Sequence, residues 1–413
     1  MSRGMKVAGF VVMAALAGVA RAQEKAEPNW PQWRGPKLDG QSSDVPKAWS
    51  PPKLLWQQAL AGAAYGSPSV AGGVVVVTDH KAEKEDYYRA YDAATGKELW
   101  TYTVPNTNEI DYGAAPRGTP LIYKGKVYVC GAPGDVHCID AKTGKPVWKK
   151  DFLTDFGGGE VPTWGFCSAL VQVGGNIIAM PGGTRGRCLV ALNGDTGATV
   201  WAGKGSGANY SNLIAGTFGG VEQIIGYDAG GLRGWNAKTG ESLWTLEVDV
   251  SKGYIVPSPV AVGGKVLLAS EDEDTRLYGF KEGGKIVPKP EATNGELAPE
   301  MSTPTVAGEL VLGLSQNGLI CMDPANKLKT LWKDGKERAF MGSVGFVVAT
   351  NGRALVIGDP GILALITVDK GGVKVLGTEK VCKGTQCHPA LVGNRIYFRD
   401  SKNLYCYQFG GAK

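Results

Sequence analysis

Histidine is scarce in this 413-residue chain, with only His80, His137 and His388. They fall far apart, with none of the short spacings that build a metal site. The strings Gly-x-Ser-x-Gly, Gly-x-x-x-x-Gly-Lys-Ser/Thr and His-Glu-x-x-His are also missing, which removes the commonest hydrolase, nucleotide and zinc-protease signatures. Glycine has no three-residue period, so the chain is not collagen-like. Long apolar runs are lacking too. The one candidate, Val7 to Ala20, is too short and wrongly flanked to cross a membrane. With Arg3 and Lys6 before it and Ala20-Arg21-Ala22 after it, residues 1–22 read instead as a cleavable signal peptide. No cysteine follows the cleavage site, so a bacterial lipid anchor is not expected. Large net charge is likewise absent. Loss of three basic leader residues and no acidic one lowers the formal charge from +5 to +2. A value so near neutral gives no argument for nucleic acid or for an anionic membrane.

What is abundant is glycine, 61 residues, within a chain that is 43% hydrophobic. Many turns between short apolar runs indicate an all-β protein. Four segments align without gaps: AYDAATGKELW ending at Trp100, CIDAKTGKPVW at Trp148, ALNGDTGATVW at Trp201 and GWNAKTGESLW at Trp244. CMDPANKLKTLW, ending at Trp332, is looser, and degenerate copies lie at 279–289 and 364–376. Before each comes a hairpin such as SPSVAGGVVVVT, whose turn recurs at Gly73, Gly125, Gly175, Gly220, Gly264, Gly308, Gly352 and Gly393. Two hairpins per repeat make a four-stranded antiparallel blade. Eight such blades around a channel make an eight-bladed β-propeller. The eighth copy stops after three strands. KLLWQQAL (53–60) matches KELWTYT, so this N-terminal strand is expected to complete the C-terminal blade and close the ring.

With strands A to D counted from the channel outward, the A–B and C–D turns share one face and are short and uniform. The B–C and D–A segments share the other face and vary, which marks it as the functional face. Just before strand A lie Tyr65, Tyr112, Trp164, Tyr210, Tyr254, Met301 and Phe340, with Arg117, Glu160, Asn209 and Glu300 nearby and His388 near the mouth. These residues are expected to ring the channel entrance, either as a ligand site or as packing of the mouth.

The A-x-D-x-x-T-G-x-x-x-W repeat resembles that of the quinoprotein, or PQQ-like, propellers over nearly all of 54–409. NWPQWRGPKLDG (29–40) resembles the segment that opens many secreted members. The resemblance implies one of two classes. Quinoprotein dehydrogenases hold PQQ between a tryptophan and a disulfide of adjacent cysteines, with Ca²⁺ on oxygen ligands and an Asp as base. The other class is non-catalytic and includes the outer-membrane protein assembly factors. This chain has no adjacent cysteine pair and is much shorter than the dehydrogenases. Trp164 could floor a cofactor, and Glu160 and Asn209 could offer oxygens, but their spacing is not specific. No cofactor and no metal are therefore expected. The leading expectation is a secreted or periplasmic propeller that binds a protein, peptide or envelope component, as a monomer or a subunit of a complex. A PQQ-dependent oxidoreductase and a carbohydrate- or small-ligand-binding propeller are the alternatives.

Cys138, Cys321 and Cys406 occupy a repeat position that takes small residues elsewhere, so they read as buried thiols. Cys382 and Cys387 are the first disulfide candidates, Cys167 and Cys188 the second, and Cys130–Cys138 stays open. Trp56, Trp100, Trp148, Trp201, Trp244 and Trp332 read as structural, each packing on the neighbouring blade. Residues 53–409 form the propeller. Residues 23–52 are an extension packed where the last and first blades meet, and 410–413 are a tail.

Overall fold

The computed structural model describes Met1 and residues 29–248, 255–342 and 345–410. All but Met1 of the leader read at 1–22, residues 23–28 of the extension, Tyr254 and residues 411–413 lie outside them. Eight four-stranded antiparallel sheets form the propeller, spanning 69–105, 121–151, 171–203, 214–246, 260–294, 305–334, 345–380 and 390–408. The last span supplies only three strands, and Lys53–Ala59 pairs with Asn403–Gln408 as its outer strand.

Closure follows the register of the repeat. Trp100 lies opposite Ala90, Trp148 opposite Cys138, Trp201 opposite Ala191, Trp244 opposite Gly234 and Trp332 opposite Cys321. Trp56 lies opposite Cys406 across the two ends of the chain. A one-residue bulge precedes each tryptophan and turns the indole toward the next blade. There it lies on the glycine of the neighbouring Thr-Gly turn: a Cβ on Gly96 would stand 2.6 Å from Trp56, and one on Gly144 2.7 Å from Trp100. The indole N–H groups of Trp100, Trp148 and Trp332 donate to carbonyls of Ala141, Gly194 and Asp369 at 2.8–2.9 Å. Trp201 Nε1 alone of the six has no acceptor. Blade five has no tryptophan, and its outer strand is displaced to Ala292–Asn294, beyond the degenerate copy at 279–289, where Pro288 and Pro290 interrupt pairing.

A belt of hydrogen bonds at the start of the A strands joins the blades around the channel. Ala169 N donates to Asn212 Oδ1 at 2.7 Å, Asn212 N to Ser258 Oγ at 2.9 Å and Ser258 N to Thr303 Oγ1 at 3.0 Å. Ser67 N meets Thr119 Oγ1, and Gly345 N meets Ser302 Oγ.

The N-terminal segment reaches further than the meeting of last and first blades. It runs along the A–B end of the channel and touches six blades. Trp30 exchanges two backbone bonds with Val70, Pro31 O accepts from Ile122 N, and Gln32 Oε1 accepts from Gln172 N. Arg34 donates to Pro304 O and Thr305 Oγ1, Gly40 O accepts from Ala349 N, and Asp44 Oδ2 accepts from Gly393 N. Trp30 stacks on His388 at 5.8 Å. Trp49 then takes the place of a missing residue. Blade seven has Gly377 where six of the other blades have tryptophan, and the Trp49 indole lies directly over it.

All eight cysteines are free thiols, which corrects both disulfide candidates and the pairing left open for Cys130 and Cys138. The thiols face different partners. Cys387 Sγ points to Tyr65 O at 3.3 Å, while Cys382 packs under Gly361. Cys167 Sγ turns to the carbonyls of Trp164 and Gly165, whereas Cys188 Sγ meets Gly207 O. Burial pushes the Cys382 and Cys167 thiols up to about 12.

Candidate functional site

The variable face gathers five of the ring residues into one aromatic row. Its centre is the segment that links blades one and two, 106–118. Asn106 anchors it, with Nδ2 donating to Asp86 Oδ2 and Ala114 O, both at 2.9 Å. Arg117 closes it from the other side, donating to the carbonyls of Ala115, Asp111 and Gly113, each at 2.9 Å. Tyr112 is held at the tip with φ 62° and is 81% exposed. A bulky non-glycine residue in the left-handed region is strained, and such strain concentrates at functional positions.

Neighbouring rings extend the row across blade boundaries. The Tyr65 hydroxyl donates to Tyr112 O at 3.4 Å, and the Arg117 guanidinium lies 5.4 Å from the Tyr65 ring centre. Trp164 meets Tyr112 edge-on at 6.3 Å and Tyr210 at 4.9 Å. Burial is the first cause that raises the Tyr210 phenol above its ordinary range.

The remaining ring residues are not part of this row. Asn209 is buried and works structurally, its Oδ1 accepting from Tyr210 N at 2.7 Å. Glu160 is exposed, and Glu300 accepts from Gln316 at 3.2 Å between blades five and six. Phe340 is 1% exposed and packs in the core of blades six and seven. His388 is buried in the channel between Trp30 and Phe346. Burial first, then the Arg34 charge, push its imidazole down to about 3.

Sequence reasoning missed a cleft of about 360 Å³ between blades seven, eight and one. Tyr65 lies on its wall, so the cleft continues the aromatic row. Asp359, Thr385, Gln386, Arg399 and Asp400 supply its polar lining. Arg399 donates to Thr78 O and to Gly62 O, while Asp400 accepts from the Tyr405 hydroxyl at 2.8 Å. The only signal in the sequence was the unequal length of these linkers.

A PQQ site does not fit these residues. Trp164 is edged by Tyr112 and Tyr210, no disulfide of adjacent cysteines can face it, and the Asn209 amide is already bonded within the fold. Among the described residues no three His, Cys, Asp or Glu side chains gather into a metal-holding group.

The register of the blades, the tryptophan docking and the loop face define a PQQ-type eight-bladed propeller. A family profile described as outer membrane protein assembly factor BamB matches residues 48–162 and 163–371, and the chain belongs to that family. The outer membrane protein assembly factor BamB of Burkholderia pseudomallei is 23% identical over 338 residues, covering 73% of this chain and 84% of its own. The quinoprotein alcohol dehydrogenase PedH of Pseudomonas putida is 32% identical over 158 residues, but the match covers 35% of this chain and only 25% of that enzyme. In fold, BamB from Moraxella catarrhalis superposes with a TM-score of 0.62 at 16% identity, over 88% of this chain and 99% of its own. The quinohemoprotein alcohol dehydrogenase of Comamonas testosteroni gives 0.63 at 14% identity, over 94% and 81%. Both superpositions establish the shared fold only.

Proposed function

We propose that this chain is a secreted or periplasmic binding propeller without catalysis, which receives a protein or peptide segment along the row from Tyr210 to Tyr65. The observation that carries this reading is Tyr112. It is strained and exposed, and its backbone is held by the Asn106 and Arg117 hydrogen bonds within its own loop, so little backbone ordering entropy is lost when a ligand covers it. The rings are tilted by 45° and 67° to one another and do not form a platform for a flat ligand. They suit the alternate side chains of an extended peptide, whose spacing is about 7 Å. The names of the assembly-factor relatives point the same way, toward work on other proteins of the envelope. The cleft beyond Tyr65, with its two carboxylates, suits a polar or basic end of the ligand.

The test is a screen of immobilised protein against short peptides. For peptides that bind, Tyr112→Ala and Trp164→Ala should each lower affinity by about 30-fold, the effect of losing a hot-spot aromatic. Thermal stability of Tyr112→Ala should be unchanged. Retention of full affinity by both variants would refute the site. Dye-linked alcohol oxidation after addition of PQQ and Ca²⁺ would refute the non-catalytic reading.

A further inference from the structure

The near-zero net charge conceals an uneven distribution, and the opposite face carries a surface that the ligand-binding reading does not use. Among the described residues, five of the large exposed apolar side chains lie on the outer strands of blades eight, one, two and three: Leu54, Leu55, Leu99, Val147 and Val200. Leu55, Leu99, Val147 and Val200 hold one structural position. Each is the bulged residue before a docking tryptophan, turned outward because the indole turns in.

Exposed lysines surround them. Lys53, Lys97, Lys124, Lys142, Lys145 and Lys149 are all exposed and make no ion pair among the described residues. The nearby carboxylates are engaged. Asp92 and Asp140 accept from the N–H groups of their own turns, Asp195 pairs with Lys126 at 2.6 Å, and Glu98 pairs with Arg89 at 3.2 Å. The patch is continuous because of the docking itself. Leu55 precedes Trp56, which sits on Gly96 beside Lys97; Leu99 precedes Trp100, which sits on Gly144 beside Lys145.

We infer that this sector of the A–B/C–D face docks on an anionic lipid surface. Aliphatic tips interleaved with lysines match the two layers of a bilayer interface, acyl boundary and phosphate. A second copy of the chain is a poor occupant, since a twofold contact would set lysines against lysines. Nucleic acid is equally poor, since it would bury five aliphatic side chains against phosphate. Docking in this orientation leaves the aromatic row on the far face, open to its ligand.

The test is flotation of the purified chain with phosphatidylcholine vesicles, with and without phosphatidylglycerol. Binding is expected only with the anionic lipid and should fall as salt rises. Each lysine near such a surface contributes about fivefold in affinity, so K97Q/K142Q/K145Q should weaken binding by about 100-fold. L55S/L99S should weaken it by about tenfold, with melting temperatures unchanged in both variants. No flotation with anionic vesicles overturns the inference, including the case in which the patch serves an acidic protein instead. Flotation of the triple lysine variant as strong as that of the parent overturns it as well.

Discussion

Trp30→Ala removes the side chain that pins the N-terminal segment into the channel. Trp30 is 2% exposed, and its indole stacks on His388 and packs against Gly35 of its own turn. Truncating a buried tryptophan costs about 3–5 kcal/mol, from lost burial and from the cavity left behind. The backbone pair with Val70 remains, so the segment loosens without detaching. With about 2.1 cal/mol/K of unfolding entropy per residue over about 380 folded residues, that cost lowers the melting temperature by about 4–6 °C. Differential scanning calorimetry reads it directly, and Trp30→Phe should recover about half. A shift below about 1 °C would refute the assignment of Trp30 as a structural clamp. Loss of peptide binding with unchanged melting would make the segment part of the ligand site instead.

Two further outcomes test the ring and its channel. Gly96 and Gly73 have nearly the same φ, 73° and 75°, but only Gly96 faces an indole. Gly73→Ala should therefore cost only the left-handed penalty, about 1–2 kcal/mol. Gly96→Ala adds the displacement of Trp56, about 1–3 kcal/mol more; equal urea midpoints would refute the docking contact. His388 is held neutral in the folded chain, at about 3 against an ordinary value of 6.5. Between those values the unfolded chain binds the extra proton, so stability is full above about pH 6.5 and falls as pH drops, by up to about 1.4 kcal/mol per pH unit. Burial raises the Asp86 carboxyl, which acts in the opposite direction, so His388→Gln should isolate the histidine by flattening the acid limb of the urea profile. An unchanged slope in that variant would refute the channel assignment.

The blades were readable because each repeat states its own register. Trp100, the Thr-Gly turn and Ala90 are a self-consistent set, and the same set names Trp56 as the partner of Cys406 from residues at opposite ends of the chain. The channel segment was not readable in the same way. Its contacts are one to three bonds to each of six different blades, and nothing in NWPQWRGPKLDG encodes Thr305 or Gln172 as partners. Its tryptophans showed that it packs, not where. The mouth was legible in part, because an aromatic before strand A recurs in the repeat. Repeat position alone could not separate Tyr112, turned out by its φ, from Phe340 and Asn209, turned in. The basic patch escaped because composition sums the faces, and only the topology divides them.

The pairing of Lys53–Ala59 with Asn403–Gln408 means that the ring has no structural beginning. The backbone entry and exit stand side by side in one sheet. Fusing them and opening the chain within a different linker should therefore yield a circular permutant with the same eight sheets. In the native order the strand synthesised first must wait for the strand synthesised last. The ring thus cannot close before Asn403–Gln408 has been made, and until then the growing chain carries an unpaired edge at each end.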